Sequence, residues 1–182
     1  MNDRFAVRML AGAMLAIGLA LAMGAARAAP FDERDATRLA AINQAIQAFE
    51  NDVGSAVHNL TCDDAELIES YAYVELNLEA AHERLNNVFM LVAVSIYMDA
   101  PSDQLLVSNV LYGQILAPSK NYLNEKKDAI ASMAAAHPAN KVFADYGMRA
   151  GALLGDRAIP LLDELYRRIG ALRTPEQGQT RP

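Results

Sequence analysis

A single cysteine and no tryptophan occur in 182 residues. Lone Cys62 excludes an internal disulfide and any CxxC zinc, redox or haem-attachment motif. Basic side chains are also scarce, with 16 Lys and Arg against 22 Asp and Glu for a net charge of −6. Nucleic acid and anionic membrane surfaces both need a basic footprint, so neither is an expected partner. No strand-like alternation or hairpin dipeptide appears, so nothing competes with a helical reading. There is no Gly-rich phosphate loop and no nucleophile elbow, and the three histidines are scattered.

The chain opens with an uncharged stretch. After Asp3, Arg4 and Arg8, residues Met9 to Ala26 carry no charge, and Ala26-Arg27-Ala28 has the small-x-small form of a signal-peptidase site. Residues 1–28 therefore read as a signal peptide, of an Ala-rich bacterial kind, directing the protein to the periplasm or the medium. An uncleaved anchor is the competing reading, but ten of those 18 residues are Ala or Gly, too weakly apolar for permanent residence in a bilayer. Removing 28 residues of 182 leaves 154, enough for one domain with a core. It also makes the remainder two charges more acidic than the whole chain's −6.

Four long stretches have helical periodicity. In the first, about Asp32 to Leu60, Leu39, Ile42, Ile46, Phe49, Val53, Ala56 and Leu60 form an unbroken 3–4 seam. Thr61 and Asp64 then have capping-box spacing. The second stretch, about Asp63 to Met98, carries Leu67, Tyr71, Val74, Leu78, Ala81, Leu85, Val88 and Val92. It stops at Asp99-Ala100-Pro101-Ser102, where Ser102 can cap the next helix.

The third, about Asp103 to Ala136, has a weaker seam of Leu105, Tyr112, Leu116, Leu123, Ile130 and Met133, with Pro118 expected to kink it. A break at His137-Pro138-Ala139-Asn140 leads to the fourth, about Lys141 to Leu172, with Phe143, Gly147, Ala150, Leu154, Leu161, Leu165 and Ile169 and with Pro160 inside. Short breaks between long helices force antiparallel neighbours. The expected fold is all-α, an up-down-up-down four-helix bundle over residues 29–172, with proline kinks in helices 3 and 4. Residues 173–182 read as a disordered tail.

Few residues suggest chemistry. Glu79-x-x-His82 resembles half of a carboxylate-bridged metal motif, but such sites need two copies and Glu79 falls on the outer face. His58 and Cys62 have i, i+4 spacing with no third ligand close by, and a helix break interrupts them. Met90, Met98, Met133 and Met148 form no cluster and read as core filler. Gly147, Gly151 and Gly155 recur every four residues, as on a close-packing helix face. No cofactor and no metal is assigned. The two prolines place a candidate pocket layer of His82, Pro118 and Pro160 at one height, the best place for a ligand if the protein is instead a small-ligand, metal or cofactor-binding bundle with redox or catalytic work.

Charge and hydropathy say more. Asp32 to Glu83 holds 12 acidic and 2 basic residues, whereas from Arg84 onward there are 9 acidic and 11 basic. Glu75, Glu79 and Glu83 repeat at i, i+4, i+8, either as a solvated face or as a landing surface for a cationic protein. The second helix is apolar all round from Val88 to Met98, eleven residues that cannot span a bilayer and must be covered by protein. Val92, Ile96 and Tyr97 are then candidates for docking a partner or a second copy, unless Phe31 folds over them. The expected function is that of an exported, non-enzymatic binding or interaction protein, inhibitor-like or immunity-like.

Overall fold

Asp32 and Asp35 start the first helix by satisfying each other's backbone: each carboxylate accepts the other residue's N–H, at 3.0 and 3.1 Å. This is a capping box with aspartate at both places. In the computed structural model, which describes residues 30–60, 65–98 and 100–173, it opens α1 (Glu33–Val57). The helix ends where the His58 ring contacts the Gly54 carbonyl at 2.8 Å through Nδ1. His58 is thus a C-terminal cap of its own helix. Cys62, the Thr61–Asp64 cap, residues 1–28 and the tail from 174 lie outside the described residues.

The second helix, α2, is Ala65–Ile96. The third, α3, runs continuously through Pro101–Val110, a π-helical stretch Leu111–Ile115, and Leu116–Ala136. It begins two residues earlier than Asp103. Pro101 occupies its first turn, where the missing N–H costs nothing. Ser102 does not cap it; its hydroxyl lies 3.4 Å from Asp103 Oδ1. The Gln104 amide instead donates to the Met98 carbonyl at 2.7 Å and ties the break to the end of α2.

The fourth helix, α4, runs through Lys141–Ala150, a π-helical stretch Gly151–Ala158, and Ile159–Arg173. Asn140 caps it by accepting the Val142 N–H at 3.0 Å. Both π stretches sit just ahead of a proline. Pro118 and Pro160 have no N–H for the preceding turn, and there the ladder widens: Leu116 N–H bonds Leu111 O, and Ile159 N–H bonds Leu154 O.

The protein is all-helical, with four helices and, among the described residues, no strand. Neighbours run in opposite directions. Asn43 meets Asn86 and Glu50 meets His82 between α1 and α2. Arg84 donates to Ser119 at 2.9 Å between α2 and α3, and Lys120 pairs with Asp163 at 2.8 Å between α3 and α4. Asp35 and Asp52 of α1 pair with Arg168 and Arg149 of α4. Gly147 and Gly155 face α3, where an added Cβ would lie 3.0 Å from Ala134 and 3.3 Å from Lys127. No described helix is long and apolar enough to cross a membrane.

The expected seams of α1 and α2 form the core, with Leu39, Ile46, Phe49, Val53, Val74, Leu78, Leu85 and Val88 fully buried. In α3 the seam is different. Leu105 is 50% exposed, while Ser108 and Leu111 turn inward. The π stretch adds a residue to its turn and shifts the inward face, which sequence periodicity does not register. Met90 and Met148, expected as core filler, are exposed. At the end where α1 stops and α4 starts, Phe49, Tyr71, Phe143 and Tyr146 pack edge to face or tilted, with ring centroids 4.8–6.0 Å apart. Burial first, and then Tyr71 beside it, pushes the Tyr146 phenol up to about 12.

Candidate functional site

Two surface features of α2 remain after the core is filled, one acidic and one apolar. Glu75, Glu79 and Glu83 follow one another along the outer side of the seam Val74, Leu78, Ala81 and Leu85, Glu75 half-buried and the other two exposed. None of them has an ion pair among the described residues. A fourth carboxylate joins them from α1. Glu50 flanks its own seam residues Phe49 and Val53 and points at α2, where its Oε2 lies 3.6 Å from His82 Nδ1.

Burial raises the Glu50 pKa, His82 opposes that rise, and Glu79, Glu75 and Glu83 reinforce it. Its Oε2 is buried without a hydrogen bond. Sequence reading missed Glu50, because membership depends on which flank of α1 turns toward α2. Asn43, one heptad earlier on the same flank, was the available signal.

Three acids that face the α1–α4 seam are treated differently. Asp35, with a side chain only 3% exposed, is held by Arg168, and Asp52 by Arg149 at 2.7 Å. Glu164 accepts from both Arg38 and Arg168. Burial works against its ionisation, but these two guanidinium groups outweigh it and hold the carboxyl below its usual range. The basic half of the sequence therefore neutralises α1 along the α4 side and leaves the α2 ladder bare.

The apolar feature occupies the far end of α2. Met90, Val94 and Tyr97 are 51, 46 and 77% exposed, and Leu105 and Leu106 across the break are 50 and 64% exposed. Beside them is an open groove of about 390 Å³ lined by Glu33, Ala36, Thr37 and Ala40 of α1 and, from α2 and its end, by Phe89, Ala93, Ile96 and Tyr97. Of the three residues expected to dock a partner, Tyr97 is exposed, Ile96 is half-buried on the groove, and Val92 is fully buried. Val92 belongs to the core: its place in the 3–4 seam decides its direction, although its neighbours are apolar all round. Phe31 is also buried, 2% exposed, yet it leaves Tyr97 uncovered.

The expected layer of His82, Pro118 and Pro160 is brought to similar heights, as the Arg84–Ser119 and Lys120–Asp163 contacts show. Its side chains diverge. His82 faces Glu50, while Pro118 and Pro160 are exposed, Pro160 on a shallow groove beside Arg38 and Glu164. Among the described residues, no group of three His, Cys, Asp or Glu side chains could hold a metal ion.

A buried Ser–His contact was not foreseen. His137 Nε2 lies 3.0 Å from Ser70 Oγ, and that hydroxyl donates to the Glu66 carbonyl at 2.9 Å. The hydroxyl proton is thus directed to a carbonyl, and the imidazole N–H donates to the hydroxyl. The ring also stacks on Phe143 at 4.8 Å, so the pair latches the α3–α4 turn onto α2. The chain matches no protein-family model, no curated protein and no solved structure.

Proposed function

We propose that this is an exported, non-enzymatic interaction protein that binds a cationic protein partner through the α1–α2 side. In this reading residues 1–28 are a cleaved signal peptide and the destination is the periplasm or the medium. The four helices form an up-down-up-down bundle, with α3 and α4 bent at Pro118 and Pro160, and the bundle holds the binding face rigid. The role is inhibitor-like or immunity-like: occupying a basic surface rather than transforming a substrate.

One observation carries the reading. Glu75, Glu79 and Glu83 are left without ion pairs beside a partly buried Glu50, in a protein whose Asp35, Asp52 and Glu164 all have arginine partners. Like charges at i, i+4 oppose folding by about 0.2–0.5 kcal/mol per pair. Complementary charge on a partner removes that cost and steers encounter.

The test is affinity capture from a periplasmic extract with the wild type and with a Glu75→Gln/Glu79→Gln/Glu83→Gln variant on parallel resins. The expected result is a basic protein retained in stoichiometric amount by the wild type, released by salt, and lost from the variant. Retention of nothing, or of a protein held equally by the variant, overturns the reading.

A further inference from the structure

The contacts between α1 and α2 fall along a single line. Ala36 and Ala40 share the open groove with Phe89, Ala93 and Ile96. Next, Asn43 donates to Asn86 at 3.3 Å, Glu50 faces His82 at 3.6 Å, and Gly54 lies against Glu75. On each helix these residues follow one another at helical spacing beside the core seam, so they share one flank. The surface between the two helices therefore changes character along its length. It starts with a mainly apolar end, floored by alanines and rimmed by Tyr97 and Glu33, crosses an amide step, and ends among the carboxylates of Glu50, Glu75, Glu79 and Glu83.

Ion pairs and hydrogen bonds also bridge the other seams. Asp35–Arg168, Arg38–Glu164 and Asp52–Arg149 bridge α1 to α4. Lys120–Asp163 bridges α3 to α4, and Arg84–Ser119 and Ser70–His137 bridge α2 to α3. Both polar contacts across the α1–α2 seam leave an acceptor without a hydrogen bond: Asn43 Oδ1, on a residue 8% exposed, and Glu50 Oε2.

We infer that this groove and the acidic flank beyond it seat one amphipathic segment of the partner protein, apolar at one end and rich in Lys or Arg at the other. The inference rests on the proposed binding of a cationic protein and adds the shape of what is bound. From Ala36 to Gly54 this flank of α1 is about 27 Å long, the length of a helix of about 18 residues, with the open groove at its Ala36–Ala40 end. Helix-in-groove binding uses apolar anchors at i, i+3/i+4 and i+7, and the small side chains of Ala36, Ala40 and Ala93 let such anchors approach closely. Charge selects the occupant. A second copy of this chain, net −6, would set like charges against the acidic half, and the uncharged stretch Met9 to Ala26 offers that half no counter-charge.

A displayed library of random peptides of about 18 residues, selected on the full chain, tests this directly. The selected peptides should carry helically spaced apolar residues toward one terminus and Lys or Arg toward the other. Each should lose about tenfold or more in affinity on both Ala93→Arg and Glu79→Lys/Glu83→Lys, with circular dichroism confirming that the variants remain helical. A photoreactive group on the apolar terminus should label the Ala36–Ala93 end, and one on the basic terminus the Glu79 end.

Selected peptides without charge polarity, labelling away from the α1–α2 flank, or affinities unmoved by the two variants overturn the inference. So does self-association of the chain abolished by Ala93→Arg, or labelling of Ala93 by the chain's own residues 1–28. A basic protein captured with unchanged affinity by Ala93→Arg sinks the groove and leaves the proposed function standing. Failure of every basic protein and peptide to bind sinks both.

Discussion

Asp35 does two jobs with one carboxylate: it accepts the Asp32 N–H that opens α1, and it receives Arg168 from α4. Its side chain is 3% exposed, so removing the arginine leaves a buried acid with only a backbone donor. Arg168→Met should therefore destabilise the protein by about 1.5–3 kcal/mol, the range for a hydrogen bond to a charged group. Urea denaturation at neutral pH checks it, and a loss below about 0.5 kcal/mol, the ordinary scatter of surface changes, contradicts it.

Glu50 and Glu164 respond to acid in opposite senses. The Glu164 carboxyl is held below its usual range, so its contribution is present above the unfolded value and disappears as pH falls through the folded one. The Glu50 carboxyl is raised by burial and by the neighbouring glutamates, so its charge opposes folding above its folded pKa. That opposition is relieved as the pH falls through the window from the raised value down to the ordinary glutamate value of 4.5. Glu50→Gln should stabilise the protein at pH 7 by a few tenths to about 1 kcal/mol. The advantage should vanish below pH about 4, near the unperturbed carboxylate range. Thermal melts of both proteins across that range decide it; a variant less stable than wild type at pH 7 sinks the assignment.

At the scale of helices, legibility followed the size and spacing of apolar side chains. The seams of α1 and α2 consist of large residues at 3–4 steps, and such a stripe has one way to be buried, which is why Leu39 to Val53 and Tyr71 to Val92 face inward. Val92 shows the limit of composition: an all-apolar run hid a residue whose spacing already placed it in the core. In α3 serine takes inward places at Ser108 and Ser119, and the π stretch shifts phase, so periodicity misassigned Leu105 and missed Leu111.

The acidic ladder was readable because i, i+4, i+8 lies within one helix. Glu50 and the groove were not, because they depend on how α1 is rotated against α2. Proline was expected to kink α3 and α4; what the ladder shows is a wider turn ahead of each. That turn already absorbs part of the roughly 3 kcal/mol an interior proline costs. Pro118 is exposed, so Pro118→Ala should gain about 1 kcal/mol in chemical denaturation. A loss of similar size would mean that the π stretch depends on the proline and packs the core at Leu111.

For the molecule as a whole, charge is distributed against its own stability on one side only. Arginines of α4 neutralise α1, while Glu79 and Glu83 of α2 repel each other and Glu50 in the open. Such repulsion weakens as salt shortens the screening length from about 30 Å at about 10 mM to about 3 Å at about 1 M. The exposed ion pairs on the other side lose at most about 1 kcal/mol each under the same change. Glu79→Gln/Glu83→Gln should therefore stabilise the protein by about 0.3–1 kcal/mol at about 10 mM salt, and the gain should shrink toward zero at about 1 M. Urea unfolding of both proteins at the two ionic strengths measures it. A gain independent of salt would trace to helix propensity rather than repulsion, and a loss would show that the ladder supports the fold. The expected salt-dependent gain means that these glutamates cost the folded state free energy while forming no ion pair among the described residues. Under the proposed function, complementary charge on the partner removes that cost.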